Sequence, residues 1–259
     1  LSQFDVAESK ALSITKKFPK HQFCWKVLAA IFIKKNKNIE ALKANKEALK
    51  LNPKDHEVLN NLGLIFLKLG KLNESKKNLE KAILLKFDFS QAYFNLGITL
   101  KASGRLEEAE KNFLTAVKLQ PNYYQAYNNL GNLQKEIGRL KDSEASYTRA
   151  INLKSDYTEA YSNLGVTQQE LGKLEEAVTN YTKAIALKPD YFEAYCNLGV
   201  TLSKMGKLEE AEARYSQAIA LKPDYAQAFY NRSQLYFDKE QYALALRDAD
   251  VCSSKEAKV

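Results

Sequence analysis

Six asparagines carry most of the chemistry that this sequence offers. Asn61, Asn95, Asn129, Asn163, Asn197 and Asn231 follow one another at intervals of 34 residues. A carboxamide presents a donor and an acceptor side by side, which matches the backbone of another polypeptide. Asn is a poor helix former, so six in one register demand a reason. One reading is a ladder along a groove that hydrogen-bonds an extended chain. The other is that each amide satisfies a buried carbonyl of a neighbouring helix. Stacked helices lie about 10 Å apart and an extended chain advances about 3.3 Å per residue, so one Asn would meet roughly every third residue of such a ligand. Asn128 and Asn132, with Ser162, Val166, Cys196 and Val200 in the equivalent flanking positions, would then supply selectivity.

Other chemistry is hard to find. The two histidines, His21 and His56, are 35 residues apart, and there is no Cys-x-x-Cys, His-Glu-x-x-His or phosphate-binding glycine loop. No catalytic residue, metal ligand or cofactor is expected, and the chain is not expected to be an enzyme. The three cysteines, Cys24, Cys196 and Cys252, sit at unrelated repeat positions. They are expected to act as small apolar fillers, and their spacing argues for a reducing, cytoplasmic setting over a disulfide framework.

The asparagines are positioned by a repeat. With His56 as position 1, all ten glycines fall at position 8 (Gly63, Gly97, Gly131, Gly165, Gly199) or position 15 (Gly70, Gly104, Gly138, Gly172, Gly206). All five prolines fall at position 32, and 11 of the 15 tyrosines at positions 4, 24 and 34. A fixed period of this kind implies stacked units in place of one central core. Residues 1–21 match the second half of a unit, and seven full units follow at 22–55, 56–89, 90–123, 124–157, 158–191, 192–225 and 226–259. The chain is therefore expected to be part of a longer array.

Apolar spacing on both sides of position 15 predicts two antiparallel helices per unit, A at about positions 1–14 and B at about 17–31. Asp190 with Glu193, and Asp156 with Glu159, predict capping boxes at the start of helix A. Glycine at 15 would supply the left-handed residue that ends helix A, and proline at 32 would stop helix B. Glycine at position 8 is mid-helix, where it costs about 1 kcal/mol relative to Ala. With Ala at 20 and 27, it predicts a close approach of A and B, the aromatics at 4 and 24 filling the remaining volume.

Charge is uneven. Residues 1–89 hold 18 Lys against 9 acids, and residues 90–259 hold 21 basic against 22 acidic side chains. Lys43, Lys46 and Lys50 form one outward helical stripe, so a solvated face is expected and nucleic acid is not expected as a partner. No apolar run approaches the roughly 20 residues of a membrane helix, so no membrane is expected either.

Trp or Tyr at 4, Leu at 7, Gly at 8, Ala at 20, Phe or Tyr at 24, Ala at 27 and Pro at 32 resemble the tetratricopeptide repeat over the whole chain. The resemblance implies an all-α fold, an α/α superhelical solenoid of 34-residue helix-turn-helix units, with the A helices lining the concave face. Ala194–Gly199 and Gly206–Ala211 are similar to the arrays of O-linked N-acetylglucosamine transferases and related bacterial proteins. The expected function is a protein-interaction module that takes a protein or peptide in extended conformation. The alternative is the substrate-recruiting part of a larger glycosyltransferase-like enzyme. Glu57, Gln91, Gln125, Glu159, Glu193 and Gln227 stand at position 2, where carboxylate-clamping relatives carry Lys, so no clamp for a free C-terminus is expected. Cut ends of an array would expose apolar faces, and end-to-end self-association is expected from them.

Overall fold

A computed structural model describes residues 3–256, and over them the chain is helical with no strand. Helix α1 (Gln3–Lys17) is followed by seven A/B pairs. They are α2 (Gln22–Lys34) with α3 (Asn38–Leu51), α4 (His56–Lys68) with α5 (Leu72–Leu85), α6 (Ser90–Ala102) with α7 (Leu106–Leu119), and α8 (Tyr124–Glu136) with α9 (Leu140–Leu153). Then come α10 (Thr158–Glu170) with α11 (Leu174–Leu187), α12 (Phe192–Lys204) with α13 (Leu208–Leu221), and α14 (Ala226–Asp238) with α15 (Tyr242–Glu256).

The helices form two compact units, Leu1–Leu133 and Gln134–Val259. In the first, α4 packs on α5, α5 on α6, and the A helices α4 and α6 also touch. In the second, α10 meets α12 and α12 meets α14 in the same way. Each unit thus places successive A helices side by side, with the B helices behind them.

The turn between A and B needs a left-handed residue, as the glycines predict. Gly70 has φ 71° and Gly206 φ 76°. A Cβ at either would meet nothing within 4 Å, so the demand is on the backbone alone. Two units meet it without glycine, through Asn36 at φ 55° and Glu240 at φ 58°.

Glycine at position 8 answers a packing demand. At Gly199 an added Cβ would stand 2.6 Å from Cε1 of Tyr215, and at Gly165 it would stand 2.8 Å from Cε1 of Tyr181. The missing methyl leaves room for the ring at position 24 of the same pair. Those rings are buried, as are Ala177, Ala184, Ala211 and Ala218 at positions 20 and 27. The aromatics at position 4 vary: Trp25, Tyr93, Tyr127 and Tyr161 are half-buried, whereas Tyr195 and Phe229 are buried.

Two sequence expectations need correction. The capping boxes do not form. Helices α10 and α12 begin one residue later than the boxes require, with Tyr157 and Tyr191 in the N-cap place and no side-chain cap. Asp190 instead offers its backbone carbonyl to the Phe192 N–H at 3.0 Å. The ring at position 34 is used for packing: Tyr225 meets Phe192, and Phe89 meets His56, edge to face at 4.9 and 5.1 Å. Where position 34 is an acid the cap does form, Asp55 accepting from the N–H groups of Glu57 and Val58 at 3.0 Å each.

Proline is also not required to stop helix B. The residue after α3, Asn52, has φ −142° and ψ 94° before Pro53. The equivalent Lys86 has φ −145° and ψ 93° before Phe87. The backbone leaves the helix at the same place with or without the ring, so proline fits a bend that forms without it.

Lys43, Lys46 and Lys50 are exposed on α3 as expected. No helix among the described residues is long and apolar enough to cross a membrane.

Candidate functional site

Each asparagine of the register lies in the middle of an A helix, and the structure gives the six different surroundings. In the first unit, Asn61 is half-buried on α4 and Asn129 half-buried on α8, whereas Asn95 on α6 is 2% exposed. In the second, Asn163, Asn197 and Asn231 are half-buried on α10, α12 and α14.

Their hydrogen bonds differ in the same way. Asn95 donates from Nδ2 to Oδ1 of Asn60 on α4 at 2.8 Å, and its own Oδ1 accepts from Nε2 of Gln91 at 3.4 Å. Asn231 repeats this arrangement in the second unit. Its Nδ2 reaches Sγ of Cys196 on α12 at 3.3 Å, and its Oδ1 accepts from Nε2 of Gln227 at 2.9 Å. In both cases the amide points back to position 5 of the preceding A helix and is held from position 2 of its own helix. Asn129 bonds within its helix, donating to the Gln125 carbonyl at 2.9 Å. Asn61 and Asn197 make no side-chain hydrogen bond among the described residues.

Position 5 therefore joins helices as well as flanking the asparagines. Asn60 and Cys196 are buried at 6% and 1% exposure. Burial pushes the Cys196 thiol up to about 11, so it stays protonated near neutrality and acts as a weak acceptor, with no thiolate reactivity. Lys26, at position 5 of α2, is drawn to Asp55 at 3.0 Å and Glu57 at 2.6 Å, away from Asn61. Asn128 is buried on α8, and Asn132, one turn further on, is half-buried.

Sequence reasoning missed Gln91 and Gln227. The signal was available as Gln-x-x-x-Asn, since residues four apart share a helix face. The partners at position 5 lie 35 residues away: the sequence reading takes Cys196 only as lining and does not single out Asn60.

A second polar joint also went unread. The Ser75 hydroxyl donates to the Gly63 carbonyl at 2.8 Å and lies 2.9 Å from the Thr99 hydroxyl, which in turn donates to the Asn95 carbonyl at 2.9 Å. These four groups link α4, α5 and α6. Among the described residues no group of three or more His, Cys, Asp or Glu is placed to hold a metal ion. The buried tyrosines Tyr147, Tyr181 and Tyr215 have phenols held neutral well above their usual range, chiefly by burial.

Fold and site together define an all-α array of helix-turn-helix repeats with polar side chains at the middle of the A helices. Tetratricopeptide repeat models match residues 29–70, 56–89, 88–156, 169–206 and 204–240. The chain belongs to the tetratricopeptide repeat superfamily. A crystal structure of MamA is 26% identical with a TM-score of 0.59, the match covering 63% of this chain and 95% of that one. YrrB, described as a TPR protein with an unusual peptide-binding site, is 23% identical with a TM-score of 0.63, covering 73% and 97%. The Cut9–Hcn1 structure matches 100% of this chain and 51% of its own at 15% identity and a TM-score of 0.71. The last two show likeness of fold alone. No curated protein sequence matches the chain significantly.

Proposed function

We propose that this chain is a protein-interaction module that binds an extended polypeptide segment along its A-helix face, with asparagines at position 6 bonding the ligand backbone. The observation that supports this is the row of half-buried carboxamides at mid-helix, Asn129 on α8 in one unit and Asn163 and Asn197 on α10 and α12 in the other. They stand on A helices that lie side by side within each unit, and Asn is a poor helix former, so its recurrence at mid-helix calls for a use beyond the helix itself. YrrB supports the same use of the fold, since it carries a peptide-binding site. The proposed units are those of the repeat, 22–55 through 226–259, after the half-unit at 1–21. The likeness of Ala194–Gly199 and Gly206–Ala211 to transferase arrays favours the same face as a substrate-recruiting surface if a longer chain carries a catalytic domain.

Peptides selected from a random twelve-residue display library against the whole chain provide the probe. Changing Asn129, Asn163 and Asn197 together to Ala removes three neutral hydrogen bonds of about 0.5–1.5 kcal/mol each. The expected loss of affinity is roughly tenfold or more, with the melting temperature unchanged or slightly raised because Ala is the better helix former. A triple variant that melts far lower while each folded molecule binds as before would overturn the proposal.

A further inference from the structure

We propose that two neighbouring positions decide which asparagines can meet a ligand: position 2 of the same helix and position 5 of the preceding A helix. This rests on the peptide-binding reading above and sets two closed asparagines against two open ones. Asn95 and Asn231 are closed. Each has Gln at position 2 (Gln91, Gln227) and a hydrogen-bonding side chain at the preceding position 5 (Asn60, Cys196), and each amide is bonded at both ends. Asn61 and Asn197 are open, and neither amide has a protein partner among the described residues.

The chemistry of the two positions explains the division. A glutamine four residues earlier can donate from its amide to Oδ1 of the asparagine, whereas a carboxylate there only accepts. Asn61 and Asn197 are preceded by Glu57 and Glu193, so their Oδ1 atoms gain no donor from position 2. At the preceding position 5, Lys26 is turned away by its ion pairs to Asp55 and Glu57. Ser162, in the equivalent place before Asn197, makes no hydrogen bond to that amide. An amide already bonded at both ends has to break those contacts before it can bond a ligand, and that loss offsets most of what the new bonds would contribute. Asn61 on α4 and Asn197 on α12 are therefore the open anchors of their own units, while Asn95 and Asn231 tie one A helix to the next.

The test needs one readout without ligand and one with it. Solvent exchange of the carboxamide protons, followed by NMR on the whole chain, is expected to be fast for Asn61 and Asn197 and slowed several-fold for Asn95 and Asn231. Equal rates would overturn the division. With a peptide selected from the random library, Asn197→Ala is expected to weaken binding about threefold to tenfold, from one neutral hydrogen bond or two, and Asn231→Ala is expected to leave affinity within twofold. Closing the open site with Ser162→Asn and Glu193→Gln together should match the loss seen for Asn197→Ala. Opening the closed one with Cys196→Ala and Gln227→Glu should make affinity newly sensitive to Asn231→Ala. If Asn197→Ala and Asn231→Ala weaken binding equally in the wild-type background, the division is wrong while the peptide-binding reading survives. If no asparagine variant alters affinity, that reading fails and this inference fails with it.

Discussion

The pair α12–α13 and the pair α14–α15 share one architecture and fill it differently. In α12–α13, Leu198 stands at position 7, Gly199 at position 8 and Tyr215 at position 24, with the ring against the bare glycine backbone. In α14–α15 the same three positions hold Arg232, Ser233 and Ala249. The large residue has left helix B and a larger one has come to helix A. There the Arg232 guanidinium bridges to Asp248 from Nε at 2.6 Å and Nη2 at 2.9 Å, and Nη1 donates to Ser216 Oγ at 2.9 Å. The pair α2–α3 solves the problem a third way, with Ala29 at position 8 facing a fully buried Asn45 at position 24, whose Nδ2 turns to the Ala41 carbonyl at 2.9 Å. What the repeat conserves is therefore a volume shared between the two helices, and the residue that supplies it can change sides.

The largest expected effect comes from breaking the polar version. Asp248 is 6% exposed at its side chain and Arg232 16%, so Asp248→Ala leaves a guanidinium that has lost its charge partner. A loss of about 3 kcal/mol is expected at this end of the array, read as faster hydrogen exchange in α14 and α15 than in α12. Replacing both residues by Leu, which restores the chemistry of Leu198, is expected to recover most of that loss. A double variant as unstable as the single one would mean that the ion pair is not a substitute for apolar volume.

Gly199→Ala tests the apolar version and is expected to cost less. The added methyl collides with Tyr215, an overpacking of about 1–3 kcal/mol, and the better helix propensity of Ala returns about 1 kcal/mol. A net destabilisation of about 1 kcal/mol is expected in thermal melts. Transplanting the terminal solution, Gly199→Ser with Tyr215→Ala, should lose less than the two single changes added together, because the positions share one space. Additive losses would show that ring and glycine are independent.

How much of this was legible in the sequence follows from distance along the chain. The helix boundaries, the left-handed turn at Gly70 and Gly206 and the need for Gly199 could be read because each depends on residues within one repeat. The capping boxes were misread by one residue: Asp190 looked like a cap, and only the structure shows Tyr191 in that place. The ties from Asn95 to Asn60 and from Asn231 to Cys196 span 35 residues, and a periodic sequence offers several equivalent partners at that spacing. The same regularity that made the fold plain hid which asparagines were already bonded.

A smaller effect is expected at the turn. Glu240 holds φ 58° where the other pairs of its unit use Gly172 and Gly206. A left-handed residue with a Cβ costs roughly 1–2 kcal/mol, part of which glycine gives back through its freer unfolded chain. Glu240→Gly is expected to stabilise α14–α15 by roughly 0.5 kcal/mol. Asn36→Gly should change α2–α3 by less, because Asn tolerates that region better than Glu. A destabilised Glu240→Gly variant would mean that the side chain does something at the turn that its geometry does not reveal.

The smallest expected effect is a dependence on acid that compares two joints of the second unit. Glu212 on α13 lies 2.9 Å from Lys239 Nζ and accepts from the Tyr236 hydroxyl at 3.0 Å, and chiefly the Lys239 bond holds its carboxyl below the ordinary value of 4.5. Glu144 occupies the same repeat position on α9. Burial alone would raise it, but Lys173 at 2.7 Å and Gln168 at 3.1 Å outweigh that and bring it down as well. A carboxyl whose folded value is depressed stabilises the fold above its unfolded value, and this contribution disappears as pH falls through the folded one. Both joints should therefore weaken below about pH 4.5, each by less than about 1 kcal/mol because the partners are partly exposed to solvent. Glu212→Gln should flatten the acid limb for α14–α15 and leave that of α10–α11 intact, and Glu144→Gln should do the reverse. If either variant flattened both limbs, hydrogen exchange would show that the unit opens as a whole, and the separate treatment of its middle and its end would fail.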